Sequence, residues 1–366
     1  MAVANRDTKS VSILLGNGDG TFQAHVDYSA AAGPASIVAK DLNHDGLPDL
    51  LVAAQDANVV SVLLNNGDGT FAPHIDFAVV YSVTALGHDG RLYGTTYQGG
   101  IVSGTVWAFS KGGNLGVLHD FSSYPGDGEH PSAGVVQDAS GNLYGAATYG
   151  GFGYGVVYKL SRNGTEKVYM FHSPPDGEYP YGGVLLGKSG SIYGTAQIGG
   201  AFGAGTVFKV SMSGQETTLH SFDKLDGDFP TGNLAGDEEG NLYGTTNLGG
   251  LHSSGVIFKI GPGGVFTVLY NFGEYIGDAS VPFAGVVRDA EGNLYGTTSS
   301  GGQFGDGTVY KLDATTGNLT ILHSFAGGSD GSYAISGVTL DPAGSLYGTT
   351  VYGGTNNFGV VYKITP

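Results

Sequence analysis

The sequence contains no cysteine, one tryptophan and three methionines among its 366 residues. Without cysteine, the chain can form neither disulfides nor thiolate metal sites. It has no apolar run of 18 residues, so we expect no membrane-spanning helix and no insertion into a membrane. Basic residues are also scarce, 15 against 32 acidic ones, and the formal net charge of −17 opposes binding to nucleic acids and to anionic lipid surfaces.

The residues that are abundant point to β structure. The chain has 67 glycines, 22 tyrosines and 18 phenylalanines, while only 13% of its residues are charged. Aromatic and β-branched residues separated by glycine turns are typical of strands, so the composition predicts an all-β fold with almost no helix.

A short string, Leu/Ile-Tyr-Gly followed by two small residues, recurs along the chain and sets the expected architecture. Successive copies are 49 to 52 residues apart, which is the length of a four-stranded propeller blade. The tyrosines of the six copies are Tyr93, Tyr144, Tyr193, Tyr243, Tyr295 and Tyr347.

Each unit divides at turn signals into four predicted strands, A to D. In one unit these are "GVVRD", "NLYGTT", "TVYKL" and "LTILHSF", with glycine-rich loops between them. A different repeat precedes this array: "VSILLGNGDGTF" at Val11 returns as "VSVLLNNGDGTF" at Val60. Because both periods are close to 50 residues, we expect one propeller domain over residues 1–366.

Two family resemblances follow from these motifs. The segment "IVAKDLNHDGLPDLLVAAQDANVVSVLLNNGDGTF" resembles the FG-GAP/VCBS repeat over about residues 1–78. The units "GNLYGTT…GG…GTVYKL…LHSF" resemble GloVer tandem repeats over residues 79–366. The first resemblance implies calcium-binding blades of extracellular proteins, and the second implies no particular activity. We therefore expect an extracellular or cell-surface location and a monomer. The start, "MAVANRDTKS", lacks an apolar signal-peptide region, which we expect upstream of residue 1.

The number of blades depends on the chain ends. The last unit stops after its strand C, "GVVYKITP", while "TFQAHVDYS" near the N-terminus is an unassigned strand D. Placing that strand on the last blade closes the ring by its terminal strands and gives seven blades. The two remaining strands, in "MAVAN" and "VSILLGN", leave eight blades as the alternative.

The nonapeptide "DLNHDGLPD" is the candidate metal site. Its oxygen-bearing side chains alternate around a glycine turn, and calcium binds six to eight such oxygens, including backbone carbonyls. The alternative is an aspartate-rich turn without metal. The predicted calcium ligands are Asp41, Asn43, Asp45 and Asp49 with the carbonyl of Leu47, while His44 is expected to point outward.

A second candidate site lies on the side formed by the D-to-A and B-to-C loops. Recurring aspartates there, often before glycine, adjoin glycine-rich loops that carry aromatic residues, and rings beside carboxylates suit sugar binding. The alternative is structural: the aspartates form turns and the rings pack between blades. The aspartates are Asp127, Asp176, Asp226 and Asp330, with Asp278 offset, and the rings are Tyr149, Phe152, Tyr154, Phe202, Phe304, Tyr352 and Phe358.

Three patterns suggest catalysis, but none of them identifies an active site. "GGVLLGKS" at Gly182–Ser189 matches a phosphate-binding motif, but it lies in the repeat and leads into a strand. The recurring His119, His220 and His323 give way to tyrosine in other units, which indicates packing. Paired acids such as Asp127 and Glu129 could act in a glycosidase only if their carboxyl groups lay at a suitable distance from a partner, and the sequence does not give that distance.

These observations predict a non-catalytic binding or display module with a structural calcium. The expected ligand is a glycan or a protein. The alternatives are a purely structural spacer of a larger surface protein and a secreted polysaccharide lyase or hydrolase.

Overall fold

A computed structural model describes most of the chain, and β-strands dominate it. The described residues form 36 strands, one 3-10 helix η1 (Gly328–Asp330) and no α-helix. None of their helices is long and apolar enough to cross a membrane. The described residues are 2–5, 7–15, 17, 22–40, 45–54, 59–78, 84–97, 103–110, 115–122, 126–161, 164–354, 357 and 359–365.

The chain divides into two compact units. The first comprises residues 1–123, 129–143 and 160–165, and the second comprises residues 124–128, 144–159 and 166–366. The first eleven strands belong to the first unit. They are β1 (Ala2–Asn5), β2 (Ser10–Ile13), β3 (Val26–Ser29), β4 (Pro34–Lys40), β5 (Asp49–Ala54), β6 (Val59–Leu63), β7 (Ile75–Ala78), β8 (Thr84–Leu86), β9 (Leu92–Thr96), β10 (Thr105–Phe109) and β11 (Leu115–Asp120).

The remaining strands, β12 to β36, follow in chain order. The next group is β12 (Gly128–Glu129), β13 (Val136–Gln137), β14 (Leu143–Ala147), β15 (Tyr149–Gly150), β16 (Val156–Ser161), β17 (Gly164–Met170), β18 (Gly177–Glu178), β19 (Leu185–Leu186), β20 (Ile192–Ala196), β21 (Ile198–Gly199), β22 (Thr206–Val210) and β23 (Glu216–Ser221). The last group is β24 (Ala235–Gly236), β25 (Leu242–Thr246), β26 (Val256–Ile260), β27 (Phe266–Asn271), β28 (Ala279–Ser280), β29 (Val287–Arg288), β30 (Leu294–Thr298), β31 (Ser300–Gly301), β32 (Thr308–Leu312), β33 (Leu319–Ser324), β34 (Thr339–Leu340), β35 (Leu346–Thr349) and β36 (Val361–Ile364).

Seven antiparallel sheets follow one another from β4 to β36. Six have four strands, in the orders β4-β5-β6-β7, β8-β9-β10-β11, β13-β14-β16-β17, β19-β20-β22-β23, β24-β25-β26-β27 and β29-β30-β32-β33, and the seventh is β34-β35-β36. Within each sheet the strands correspond in order to the predicted A, B, C and D. The all-β, seven-bladed propeller arrangement that the repeats predict is therefore confirmed, although the last sheet shows three strands.

The N-terminal strands differ from the prediction. Val26–Ser29, assigned from the sequence to the last blade, instead pairs antiparallel with β2, and β1 completes a separate three-stranded sheet. This sheet packs with the side chains of Val11 and Ile13 against buried residues of the next sheet such as Leu50 and Val52. That apolar contact explains why β3 stays with its neighbours in sequence. Ring closure by exchanged terminal strands is not among the described pairs.

The glycine of the repeated Tyr-Gly string lies beneath an aromatic ring. Strand C of each second-unit blade carries a tyrosine or phenylalanine that covers the strand B glycine. A Cβ on Gly244 would lie 2.5 Å from the Phe258 ring, and one on Gly296 would lie 2.4 Å from the Tyr310 hydroxyl. Glycine is needed here because any side chain would displace the ring that fills the core.

The tyrosine of the same string and the A-to-B turn form a second recurring unit. Asp289 Oδ1 accepts a hydrogen bond from Asn293 N at 2.8 Å, and Asp289 Oδ2 accepts one from the Tyr295 hydroxyl at 3.0 Å. Lys311 Nζ lies 5.8 Å from the centre of the Tyr295 ring. The repeated letters Asp, Asn, Tyr and Lys therefore define one turn and the ring that closes it.

In the second unit, the segments that precede strand A of neighbouring blades are in direct backbone contact. A Cβ on Gly182 would lie 2.8 Å from the carbonyl oxygen of Gly232, and one on Gly285 would lie 2.0 Å from that of Asn233. Only glycine permits this approach. In the first unit, the single tryptophan, Trp107 on β10, is 5% exposed and packs with Val62 and Phe109.

Candidate functional site: the loop face of the second unit

The B-to-C and D-to-A loops of the second unit lie on one side of its sheets, which we call the loop face. Each D-to-A loop is joined by backbone pairing to the B-to-C loop of the following blade. The loop face comprises residues 149–155, 171–183, 197–205, 222–234, 247–255, 272–285, 299–307, 325–337 and 350–354. The joining pairs are Gly177 with Gly199, Asp228 with Leu248, Ala279 with Gly301, and Ser332 with Tyr352.

The recurring aspartates are bound within their own loops. Asp176 Oδ2 accepts hydrogen bonds from the Tyr169 hydroxyl at 2.6 Å and from His172 N at 2.9 Å. Asp278, treated from the sequence as an offset relative, occupies the same position: its Oδ1 accepts from Tyr270 at 2.9 Å and its Oδ2 from Gly273 N at 2.8 Å. These carboxylates brace the end of strand D, in agreement with the structural alternative. Asp127 Oδ1 likewise accepts from Gly128 N at 2.9 Å.

The strand D histidines share this arrangement. His220 Nε2 lies 2.8 Å from Asp226 Oδ2, and His323 Nε2 lies 3.0 Å from both carboxylate oxygens of Asp330. The His220 ring also stacks on Phe266 at 3.6 Å between ring centres. Histidine and tyrosine can alternate here because each places one polar atom against the aspartate and packs its ring against the phenylalanine two residues later. In the first unit, the ring of His119 packs against Phe121 at 4.7 Å.

The predicted rings behave differently from the aspartates, because most of them face solvent. Tyr154 is half-buried and Phe358 lies outside the described residues. The exposed fractions are 39% for Tyr149, 58% for Phe152, 63% for Phe202, 55% for Phe304 and 49% for Tyr352. Phe152 contacts the His172 ring at 4.7 Å between centres.

The loops that carry these rings are fixed by backbone hydrogen bonds. Gly200 N donates to Asp176 O at 2.7 Å, and Gly302 N donates to Asp278 O at 2.9 Å. Both glycines have positive φ, which lets the loop turn back on the preceding D-to-A loop. Phe202 and Phe304 therefore project from equivalent, rigid positions two blades apart.

Acidic side chains are present on the loop face and on strand β23. Burial raises the pKa of Glu178 and of Asp228. On strand β23, burial and the nearby charge of Asp176 raise the pKa of Glu216 to about 7. The raised pKa values favour the neutral forms of these three groups, so exposed acids such as Asp223 and Glu274 supply the negative charge that opposes the approach of anionic ligands.

The predicted calcium loop is described only in part. Asp41 and Asn43 lie outside the described residues, as does His44. Asp45 Oδ1 accepts from Leu47 N at 2.8 Å, and the fully buried Asp49 accepts from Asn65 N through Oδ1 at 2.8 Å. In the described part of the chain, no group of three His, Asp or Glu side chains is placed to hold a metal ion.

A cleft of about 960 Å³ in the first unit was not anticipated from the sequence. Its lining includes Asp89, Arg91, Tyr93, Leu118 and Gln137. The Tyr93 hydroxyl donates a hydrogen bond to Asp89 Oδ2 at 2.7 Å. Burial, and to a smaller extent this hydrogen bond, raises the pKa of Tyr93. The pKa of Asp89 is lowered, because its hydrogen bonds together outweigh the effect of burial. Neither group is poised to exchange a proton near neutral pH. The sequence gives no specific signal for this cleft, because the glycine that replaces the turn aspartate here, Gly87, recurs as Gly187 in another blade.

The motif resembling a phosphate-binding loop is an ordinary part of a blade. Its residues form strand β19 and the turn into β20, and Lys188 Nζ donates to the carbonyl of Glu238 at 3.1 Å. No helix begins there, so its interpretation as a coincidence is confirmed.

Sequence profiles of known families agree with the two repeat types. The profile of the Gloeobacter/Verrucomicrobia repeat matches residues 80–288 and 275–366, which is more than half of the chain. The chain belongs to the Gloeobacter/Verrucomicrobia repeat family. The profile of the FG-GAP-like repeat matches residues 1–52 and 41–93 of this Gloeobacter/Verrucomicrobia repeat protein. No curated protein sequence matches it.

Solved structures show the fold alone. A streptogramin B lyase is 15% identical to the Gloeobacter/Verrucomicrobia repeat protein, with a TM-score of 0.54 over 86% of this chain and 90% of the lyase. Catalytically inactive virginiamycin B lyase from Staphylococcus aureus, solved with quinupristin, is 13% identical, with a TM-score of 0.49 over 100% of this chain and 97% of that one. At such low identity these likenesses assign no activity to the repeat protein.

Proposed function

We propose that the protein is an extracellular β-propeller module whose loop face binds neutral glycans. The observation that carries this proposal is the presentation of solvent-exposed rings on loops fixed by backbone hydrogen bonds, as for Phe202 and Phe304. Exposed aromatic side chains are costly in water, while a sugar covers them with its C–H faces. Because the loops are already ordered, little conformational entropy is lost on binding.

Charge selects among possible glycans. The protein has a formal net charge of −17, and the loop face carries exposed acids such as Asp223 and Glu274. Uronic-acid and sulfated polymers would be repelled, and the repulsion would weaken with added salt. The proposed ligand class is therefore a neutral oligosaccharide.

Binding of cellohexaose and maltohexaose, measured by calorimetry, tests the proposal. Phe202→Ala and Phe304→Ala should each weaken binding by about threefold to tenfold, the range expected for a lost ring contact. Leu251→Ala is the matched control, because Leu251 is a 74% exposed aliphatic residue of an equivalent loop. Failure of the unchanged protein to bind across a broad neutral glycan panel would favour the spacer alternative.

A structural calcium ion in the nonapeptide is the second part of the proposal. The carboxylates of Asp45 and Asp49 suit a hard cation, and the Asp45 turn is already formed. The remaining proposed ligands are Asp41, Asn43 and the carbonyl of Leu47. A bound ion would neutralise acids that otherwise repel one another within one turn.

Thermal unfolding with EDTA and with millimolar calcium tests this ion. Calcium should raise the melting temperature, because it binds the folded state. Asp45→Ala should remove most of the rise, whereas Asp68→Ala, in the exposed turn that follows strand β6, should leave it intact. Identical melting curves with and without calcium would leave the nonapeptide as an ordinary turn.

A further inference from the structure

Left-handed backbone recurs at one position of the loop face, on residues other than glycine. The residue three positions after each recurring aspartate has positive φ: 58° at Tyr179, 57° at Phe229, 59° at Val281 and 63° at Tyr333. Bulky and β-branched residues rarely adopt this conformation, whereas glycine adopts it without strain.

Backbone contacts, and not side chains, hold this conformation. Tyr333 N donates to Asp306 O at 2.9 Å in one blade, and Tyr333 O accepts from Val351 N at 3.2 Å in the next. Tyr179 makes the same two contacts, with Tyr154 O and Gln197 N. Glycine would preserve these bonds with less strain, so a large side chain at this position requires another explanation.

The last blade differs from its neighbours at this position. Each left-handed residue adjoins a residue of the B-to-C loop that takes part in the joining pair. The residues just before Tyr179, Phe229 and Val281 pair with Ile198, Leu248 and Ser300, while the residue just before Tyr333 pairs with Tyr352. Among the described equivalent positions of the second unit, only this one sets a left-handed tyrosine beside a tyrosine of its joining pair. The half-buried Tyr179 instead contacts Tyr149, in the B-to-C loop of its own blade, at 5.1 Å between ring centres.

The two tyrosines form an exposed and fixed pair of rings. Their centres are 6.0 Å apart with an angle of 42° between the rings, and Tyr333 is 42% exposed. Ser332 and Tyr352 exchange two backbone hydrogen bonds, at 3.0 and 3.2 Å, which fixes the relative position of the two side chains. An exposed tyrosine in left-handed backbone contributes little to packing, so its ring is available to a ligand.

We propose that Tyr333 and Tyr352 form the principal sugar-binding subsite of the loop face, and that Tyr333 retains a strained conformation in order to present its ring. This inference rests on the proposed function and names the side chains that carry it. The subsite takes one residue of a neutral oligosaccharide, with stacking on the rings and hydrogen bonds from their hydroxyl groups.

The test measures stability and binding together, because the two should change in opposite directions. Tyr333→Gly should raise the melting temperature and weaken binding of cellohexaose or maltohexaose at least tenfold. Tyr333→Ala should weaken binding equally but melt below Tyr333→Gly, because alanine keeps the backbone strain. A purely structural tyrosine would lose stability on either substitution.

Controls separate the possible failures. Val281→Gly removes strain at an equivalent position outside the tyrosine pair, so it should preserve binding. Tyr352→Phe keeps the ring and should retain most of the affinity. Unchanged binding by Tyr333→Gly, or a melting temperature lower than that of Tyr333→Ala, overturns the inference alone. Absence of binding by the unchanged protein overturns the proposed function as well.

Discussion

At the scale of single residues, the core contains a buried tyrosine hydroxyl that has no hydrogen-bond partner among the described residues. Tyr310 is fully buried, its hydroxyl has no hydrogen-bond partner among the described residues, and burial raises its pKa above the ordinary value. Phe208 and Phe258 occupy the equivalent position without a hydroxyl. The hydroxyl of Tyr310 is therefore expected to lower stability.

Tyr310→Phe should stabilise the protein by about 1 kcal/mol, since it removes an unpaired buried polar group. Thermal unfolding would show this as a melting temperature about 2 °C higher. The reciprocal change, Phe258→Tyr, should lower the melting temperature. Equal melting of Tyr310→Phe and the unchanged protein would mean that the hydroxyl is satisfied.

Glu216 gives a pH dependence of opposite sign to that of most carboxylates. Burial, and then the charge of Asp176, raise its pKa from the ordinary value of 4.5 to about 7. The folded state therefore holds this proton more tightly than the unfolded state does. Its contribution to stability is present below about pH 4.5 and is lost as pH rises towards 7.

Glu216→Gln should flatten this part of the stability profile. Unfolding by urea at several pH values between 4.5 and 8 would measure it, and the variant should gain on the unchanged protein as pH rises. Glu239→Gln, in an exposed A-to-B turn, serves as the control. Parallel profiles for the Glu216 variant and the unchanged protein would show that Glu216 titrates normally.

At the scale of strands and turns, the A-to-B turn is the element most completely defined by its sequence. Asp289 accepts hydrogen bonds from Asn293 N, Asn293 Nδ2 and the Tyr295 hydroxyl, all at 2.8 to 3.0 Å. Asp289→Ala should cost about 1–3 kcal/mol, because these donors lose their shared acceptor. Glu291→Ala on the same turn should change little, and urea unfolding would compare the two. Equal losses would mean that the turn does not depend on its aspartate.

The repeats also determine how much of the fold could be predicted from the sequence. The strands and their order followed from the period, because each apolar segment lies between glycine turns. The partner of β3 did not follow, since strand D segments resemble one another and either sheet edge offers free backbone groups. Asp278 was set apart because alanine follows it in place of glycine, although its hydrogen bonds match those of Asp176.

The candidate site could likewise be predicted only in part. Phe202 and Phe304 were candidate platforms because they lie beside glycine pairs, and both rings are exposed in the structure. The left-handed conformation of Tyr333 was not predicted, because residues such as tyrosine and valine carry no signal for positive φ. Its cause lies in hydrogen bonds to two neighbouring blades, which only the folded chain brings together.

At the scale of the whole molecule, the division into two compact units raises the question of cooperativity, and Trp107 offers a means of answering it. As the single tryptophan of the chain, buried in the first unit, it gives fluorescence that reports on that unit alone. Circular dichroism in the far ultraviolet, in contrast, sums over the strands of both units. If residues 1–366 form one domain, the two signals should change at the same denaturant concentration. Separate midpoints would show that the unit containing Trp107 unfolds independently, and its emission would then provide a selective optical test of whether calcium stabilises that unit.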